Sequence, residues 1–279
     1  MKYKIAADSS ANLLELEGVD FASVPLKIVT AEKEYVDDGA LDVDAMVADL
    51  AAYHGRSGSS CPNIQNWMDA FEGADGVFAV TITSNLSGSY ASAVQAREEY
   101  TQIHPEVKIY VLDTLSAGPE PQLMVEKLRE LILEGLDFED IVSAIEAYCR
   151  RTHLLFTLES MKNLARNGRT SHAAATLAGV LGIRVVGMAG AEGTLEMLHK
   201  CRGGKKAVQT TYESMAELGY AGGSVRIAQC QNPEAANTLC SIIRHHWPEA
   251  DVQIIPTRGL CAFYAESGGL MIGFECAEA

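Results

Sequence analysis

Gly76-Val77-Phe78-Ala79-Val80-Thr81-Ile82-Thr83-Ser84-Asn85-Leu86-Ser87-Gly88-Ser89-Tyr90 is the stretch whose reading decides the fold. An apolar, β-rich run over 76–82 gives way to a hydroxyl-rich turn. A helical period then follows over 88–100, with Tyr90, Ala93, Val94 and Arg97 on one face and Ser87 as its natural N-cap. The same alternation of strand and helix extends outward in both directions. Strands are expected at 3–7, 25–29 and 107–112. A helix is expected from near Cys61, where Pro62 suits the first helical position and Ile64, Trp67, Met68 and Phe71 share a face. Two further helices, over 122–133 and 138–151, are separated by the helix-stopping Gly135. This order predicts a parallel sheet covered by helices.

Near residue 150 the pattern changes. A strand over 154–157, a helix around 160–166, a strand over 183–188 and a hairpin at Ala191-Glu192-Gly193-Thr194 come first. Helices over 205–218 and 233–247 then alternate with strands at 224–229, 252–255 and 270–276. The greater share of hairpins predicts a mixed sheet with helices on one side. At 279 residues the chain exceeds what one core usually organises. The expected fold class is therefore α/β in two domains: a parallel α/β/α sheet over 1–152 and a mixed-sheet α/β domain over 153–279. No internal repeat or low-complexity tract interrupts either.

Composition narrows the function. A formal net charge of −15 argues against nucleic-acid binding, which draws its affinity from a Lys/Arg footprint on phosphates, and against docking on anionic membranes. The longest apolar stretches, such as Gly76 to Val80 and Val185 to Met188, are far shorter than a bilayer span, so no stable membrane insertion is expected. The N-terminal run reaches Asp8 too early for a signal-peptide apolar region. Seven scattered cysteines, none in a C-x-x-C pair, fit buried thiols in a reducing compartment. A cytoplasmic protein is expected.

In an open parallel sheet, ligands bind beyond the carboxyl ends of the strands. Here those ends carry hydroxyls: Asp8-Ser9-Ser10, Thr83 to Ser89, and Asp113-Thr114-Leu115-Ser116, with Ser57-Gly58-Ser59-Ser60 ahead of the helix at Pro62. Each alone reads as an ordinary helix cap. Together, at helix starts with free N–H groups, they suit a carboxylate or phosphate. The seven histidines form no recognisable pattern with these serines, and no G-x-S-x-G elbow, phosphate-binding glycine loop or metal motif occurs. Two cationic stretches stand out in this acidic chain: Arg166 to Ser171, which contains Arg169, and Lys200 to Lys206, which contains Arg202. Each suits a solvated turn or a local anion or partner site.

Taken in order, Asp8-Ser9-Ser10, Val24-Pro25-Leu26, Ser59-Ser60-Cys61-Pro62, Leu86-Ser87-Gly88-Ser89-Tyr90, Asp113-Thr114, the segment around Gly168-Arg169 and that around Arg202-Gly203 resemble the DegV family of bacterial fatty-acid-binding proteins, with its EDD fold. The resemblance spans essentially the whole chain. It implies a non-catalytic subunit that holds a long-chain fatty acid, with Ser59 and Ser87 on the carboxylate and the acyl chain buried. It further implies Ser60, Gly88 and Arg169 at the ligand. Arg202 would face a separate fatty-acid kinase subunit to which the bound acid is presented. Where many members carry His-x-Gly-Pro-Gly, this chain reads Phe263-Tyr264-Ala265-Glu266-Ser267-Gly268-Gly269, so Tyr264 stands in for the histidine. No cofactor or metal is expected beyond the bound fatty acid as ligand. The competing readings are a serine-dependent hydrolase or acyltransferase using Ser59 or Ser87, and a lipid-sensing interaction module.

Overall fold

The computed structural model describes residues 1–171 and 182–277. Strands β1 (Tyr3–Asp8), β2 (Asp20–Val24), β3 (Lys27–Thr30), β4 (Glu34–Val36), β5 (Ser57–Ser60), β6 (Gly76–Thr81) and β7 (Lys108–Asp113) come first. Helices α1 (Val43–Ala52), α2 (Ile64–Phe71), α3 (Ser89–Ile103), α4 (Pro119–Leu133) and α5 (Phe138–Cys149) are interleaved with them and follow them. Then come β8 (Thr152–Leu158), α6 (Lys162–Arg166), β9 (Ile183–Ala189), β10 (Leu195–Arg202) and α7 (Gly204–Glu217). The chain closes with β11 (Val225–Gln229), α8 (Pro233–His246), β12 (Val252–Pro256), α9 (Gly259–Ala265) and β13 (Leu270–Glu275).

Four strands form a parallel sheet in the order β2-β1-β6-β7. Every residue of the central β6 is buried, as expected of a strand covered on both faces. Alternation then divides the side chains between two cores. Ile5, Phe78 and Val80 pack with Leu128 of α4 and Ile141 of α5, whereas Ala6, Val77 and Ala79 pack with Trp67 of α2 and Ala93 of α3.

Several boundaries differ from the sequence reading. The strand expected at 25–29 corresponds to β3, which starts at Lys27 in a separate antiparallel sheet ordered β4-β3-β5, whereas the parallel-sheet strand is β2, which ends at Val24 and carries no sequence expectation. Pro25, which has no N–H to donate, stands at the break. The Ser57–Ser60 segment, expected to lead into a helix start, is strand β5, held by backbone pairing to β3 with Ile28 opposite Ser59. Helix α2 starts at Ile64, later than Pro62, because Asn63 and Asn66 form a reciprocal capping box with bonds of 2.9 and 3.1 Å. In α3 the cap position falls on Gly88, not Ser87. Ser87 lies one residue outside, where its Oγ accepts the Ser89 N–H at 3.3 Å.

The second sheet is mixed, ordered β10-β9-β8-β13-β11-β12, with only the β11–β12 pair parallel. Helices α7 and α8 cover one face through Val208, Met215, Leu239 and Ile243. The expectation of helices on one side only is corrected, because α4 covers part of the other face. It packs on β8, β11 and β13 as well as on β1 and β6. Every residue from Pro119 to Val125 is consequently buried. Arg226 of β11 fastens this layer, with Nε and Nη2 donating to Glu126 Oε2 at 3.0 and 2.7 Å.

Burial between two sheets leaves the Glu120 carboxyl without water. Among the described residues its oxygens accept from the Ser116 Oγ at 2.5 Å and the Thr152 Oγ1 at 2.8 Å, and burial pushes its pKa up to about 7. The folded protein therefore keeps a proton that the unfolded chain releases near pH 4.5, so stability falls as pH rises from about 4.5 to about 7. The loss is at most about 3 kcal/mol at about 1.4 kcal/mol per unit. Urea unfolding at pH 5.5 and 7.5 should show Glu120→Gln losing less stability between the two pH values than the parent; equal losses would contradict the assignment.

Candidate functional site

Most of the hydroxyls at the carboxyl edge of the parallel sheet are consumed by the protein itself. The Asp8 carboxylate, fully buried, accepts the Ile82 N–H at 2.9 Å, the Ser89 Oγ at 2.6 Å and both the N–H and the hydroxyl of Ser10. Thr114 Oγ1 donates to the Thr81 carbonyl at 2.8 Å, and Ser116 is engaged with Glu120. Ser9 Oγ accepts the Leu26 N–H at 3.1 Å. These residues brace loops, and the hydroxyls of Ser59 and Ser87 are the ones that line a space.

That space lies where the three sheets meet, ahead of α4. Its empty space, counting what opens to solvent, is about 660 Å³. Ile82, Leu154, Phe156, Leu158, Leu260 and Met271 make up much of an almost wholly apolar wall. Among the described residues, the polar side chains on the lining are Ser59, Ser87, Arg169 and Tyr264, joined by the buried thiol of Cys261.

Local structure explains how these groups meet. Strand alternation turns Ser59 inward and leaves Ser60 exposed, so Ser60 does not reach the cavity. Ser59 Oγ and Tyr264 Oη lie 2.7 Å apart although 205 residues separate them in sequence. Tyr264 is carried on α9, a helix that sequence periodicity did not mark. Arg169 follows a Schellman turn at the end of α6: Gly168, at φ 72°, donates to the Ala165 carbonyl and Arg169 N–H to the Leu164 carbonyl at 2.8 Å. Its Nε then donates to the Leu86 carbonyl at 3.1 Å and its Nη1 to the Asn167 carbonyl at 2.6 Å. The guanidinium stands 5.9 Å from the Tyr264 ring centroid. Gly88 caps α3 and does not line the cavity, and Arg202 lies exposed at the end of β10, opposite Ile183.

Burial raises the Tyr264 phenol pKa, against the opposing pull of the Ser59 bond and the Arg169 charge. The phenol is thus a neutral donor and a poor base. No histidine among the described residues lines the cavity; His172 lies outside them. Among the described residues there is also no cluster of His, Cys, Asp or Glu suited to a metal, and no helix long and apolar enough to cross a membrane. Chemically, one permanent cation and three hydroxyls converge at one part of an apolar cavity, an arrangement that suits a molecule with a small anionic head and a long apolar tail.

The family model described as "Uncharacterised protein, DegV family" matches residues 2–275. A DegV domain-containing protein of Streptococcus pneumoniae is 47% identical over 279 residues, covering 99% of each chain. Among solved structures, the Streptococcus pneumoniae Fatty Acid Kinase B3 protein loaded with linoleic acid has a TM-score of 0.98 at 47% identity, covering 99% of this chain and 100% of that one. A Eubacterium eligens DegV family protein loaded with heptadecanoic acid has a TM-score of 0.97 at 41% identity, with the same coverage. A Ruminococcus gnavus DegV family protein refined with vaccenic acid has a TM-score of 0.89 at 27% identity, covering 98% of this chain and 99% of that one. With a family model matched from end to end and relatives this similar, the chain belongs to the DegV family.

Proposed function

We propose that this protein binds a long-chain fatty acid, with the carboxylate against Ser59, Ser87, Tyr264 and Arg169 and the acyl chain along the apolar wall. The observation that carries this reading is the convergence of those four groups on one otherwise apolar cavity. A carboxylate taken from water must be paired and hydrogen-bonded. Arg169 supplies the charge. Ser59 and Tyr264, now bonded to each other, can each turn a hydroxyl onto the carboxylate, exchanging one neutral bond for two charge-assisted ones. Each buried methylene of the tail then contributes roughly 0.8 kcal/mol. The three related structures that hold fatty acids support the same ligand class.

The protein acts in this reading as a carrier that presents the acid to a fatty-acid kinase subunit, with exposed Arg202 on the partner-facing surface. Support comes from the similarity to the Fatty Acid Kinase B3 protein. All seven cysteines are free, five of them buried, which suits a reducing cytoplasm. A serine hydrolase is disfavoured by the chemistry at Ser59, whose bonded neighbour is a phenol that holds its proton.

Solvent extraction of the purified protein followed by mass spectrometry should yield a long-chain fatty acid, and consistent recovery of none would contradict the reading. Ser59→Ala with Ser87→Ala should weaken fatty-acid affinity about tenfold or more while thermal unfolding stays cooperative, since each lost bond to a charge is worth about 1.5–3 kcal/mol. Unchanged affinity would remove these serines from the site. A fluorophosphonate probe should leave both serines unlabelled; labelling abolished by Ser87→Ala would favour the hydrolase.

A further inference from the structure

We infer that Asp37, a carboxylate outside the cavity, is a positioning residue for the site's polar end, acting through the first turn of α9 on Tyr264. The inference rests on the fatty-acid reading above. Asp37 is completely buried just beyond β4, where its N–H donates to the Leu26 carbonyl at 2.9 Å. Its Oδ1 accepts the Gly259 N–H at 2.7 Å and its Oδ2 the Leu260 N–H at 2.8 Å. Two of the free N–H groups at the start of α9 are thus satisfied by one charge from more than 220 residues away.

Such a helix needs an external hold. Seven residues are too few to be stable alone in water, so where α9 sits is decided by what grips it. Leu260 and Tyr264 are four residues apart, on one helical face, and both line the cavity. Fixing the Leu260 N–H therefore fixes the direction in which Tyr264 projects, and with it the approach to Ser59. Gly259 is fitted to this grip: a Cβ there would stand 2.7 Å from Asp37 Oδ1 and 2.6 Å from Leu41 Cδ2.

Behind the helix the hold continues. The Ser9 hydroxyl accepts the N–H of Leu26, the residue whose carbonyl accepts the Asp37 N–H, and the next residue, Ser10, bonds to Asp8, which in turn holds Ser89 and the Ile82 N–H near Ser87. The short turn at Ser9–Ala11 thereby links two buried carboxylates, one behind each side of the polar end. Burial pushes the Asp37 carboxyl up; the Leu260 N–H, the Ser9 hydroxyl, the Gly259 N–H and the Arg258 charge oppose it.

A residue that only stabilises the fold would affect every ligand alike, whereas one that aims Tyr264 affects the carboxylate. The test compares hexadecanoic acid with 1-hexadecanol, the same chain without the charge, by titration calorimetry. The parent protein should prefer the acid. Asp37→Asn should cut acid affinity about tenfold, a change of about 1.4 kcal/mol, and leave the alcohol within about twofold. In a Tyr264→Phe background the same substitution should no longer change the acid-to-alcohol ratio. Ser9→Ala, a milder change that serves if Asp37→Asn does not fold, should lower the ratio in the same direction. An unchanged ratio in the folded variant, or an undiminished effect in the Tyr264→Phe background, overturns the inference alone. A parent protein that binds neither compound, or both equally, overturns the fatty-acid reading and this inference with it.

Discussion

The packing of α4 between two sheets is the constraint from which the rest of the architecture follows. A helix that touches β1 and β6 on one side and β8, β11 and β13 on the other must be apolar almost all round in its first half. Of the exceptions there, Glu120 is bonded to Ser116 and Thr152, and Gln122 donates its Nε2 to Glu126. The helix begins only at Pro119 and does not run on into the gap between the sheets. Ala117, the strand ends and the loop after β6 border the space that remains, and β5 and α9 complete its wall. The cavity is a consequence of where the shared helix begins.

Electrostatics then decides what that cavity suits. In a chain of net charge −15, Arg169 is, among the described residues, the permanent cation on its lining, and there it is held by carbonyls and an aromatic face rather than by a carboxylate. A cation already paired with an acid would gain little from an anionic ligand. Two buried acids behind the polar end are instead engaged within the protein, Asp8 by the Ile82 N–H and the Ser89 hydroxyl and Asp37 by the Gly259 and Leu260 N–H groups. This separation of roles leaves positive charge and the hydroxyls of Ser59, Ser87 and Tyr264 on the cavity lining, with the two carboxylates engaged behind it.

The sequence showed the strongly periodic elements and hid those that depend on tertiary contact. Strands β1, β6 and β7 and helices α3, α4, α5 and α8 follow apolar runs or helical stripes, and the mixed character of the second sheet followed from its hairpins. By contrast, β5 is Ser-Gly-Ser-Ser, which carries no alternation and is a strand only because β3 pairs with it. Helix α9 is a seven-residue segment whose cap, Asp37, lies in another part of the chain, so no local signal announces it. The same limits apply to the site. Ser59, Ser87, Arg169 and Tyr264 stand out in the sequence mainly through the family resemblance, and the structure brings them to one cavity. Ser60 and Gly88 stay outside it, because strand alternation and the start of α3 place them elsewhere. The hydroxyls of Ser9, Ser10 and Thr114 looked equally suited to an anion in sequence. Only their hydrogen bonds show that they are already in use.

The central claim is that an anionic head meets four particular side chains while its tail lies on the apolar wall. A crystal structure of the protein loaded with a saturated long-chain fatty acid tests it most directly. The account predicts elongated density along Leu154, Phe156 and Met271, ending in a carboxylate about 3 Å from the Ser59, Ser87 or Tyr264 hydroxyls and facing Arg169. A carboxylate at the opposite end, or a fatty acid bound elsewhere with this cavity closed, would contradict it.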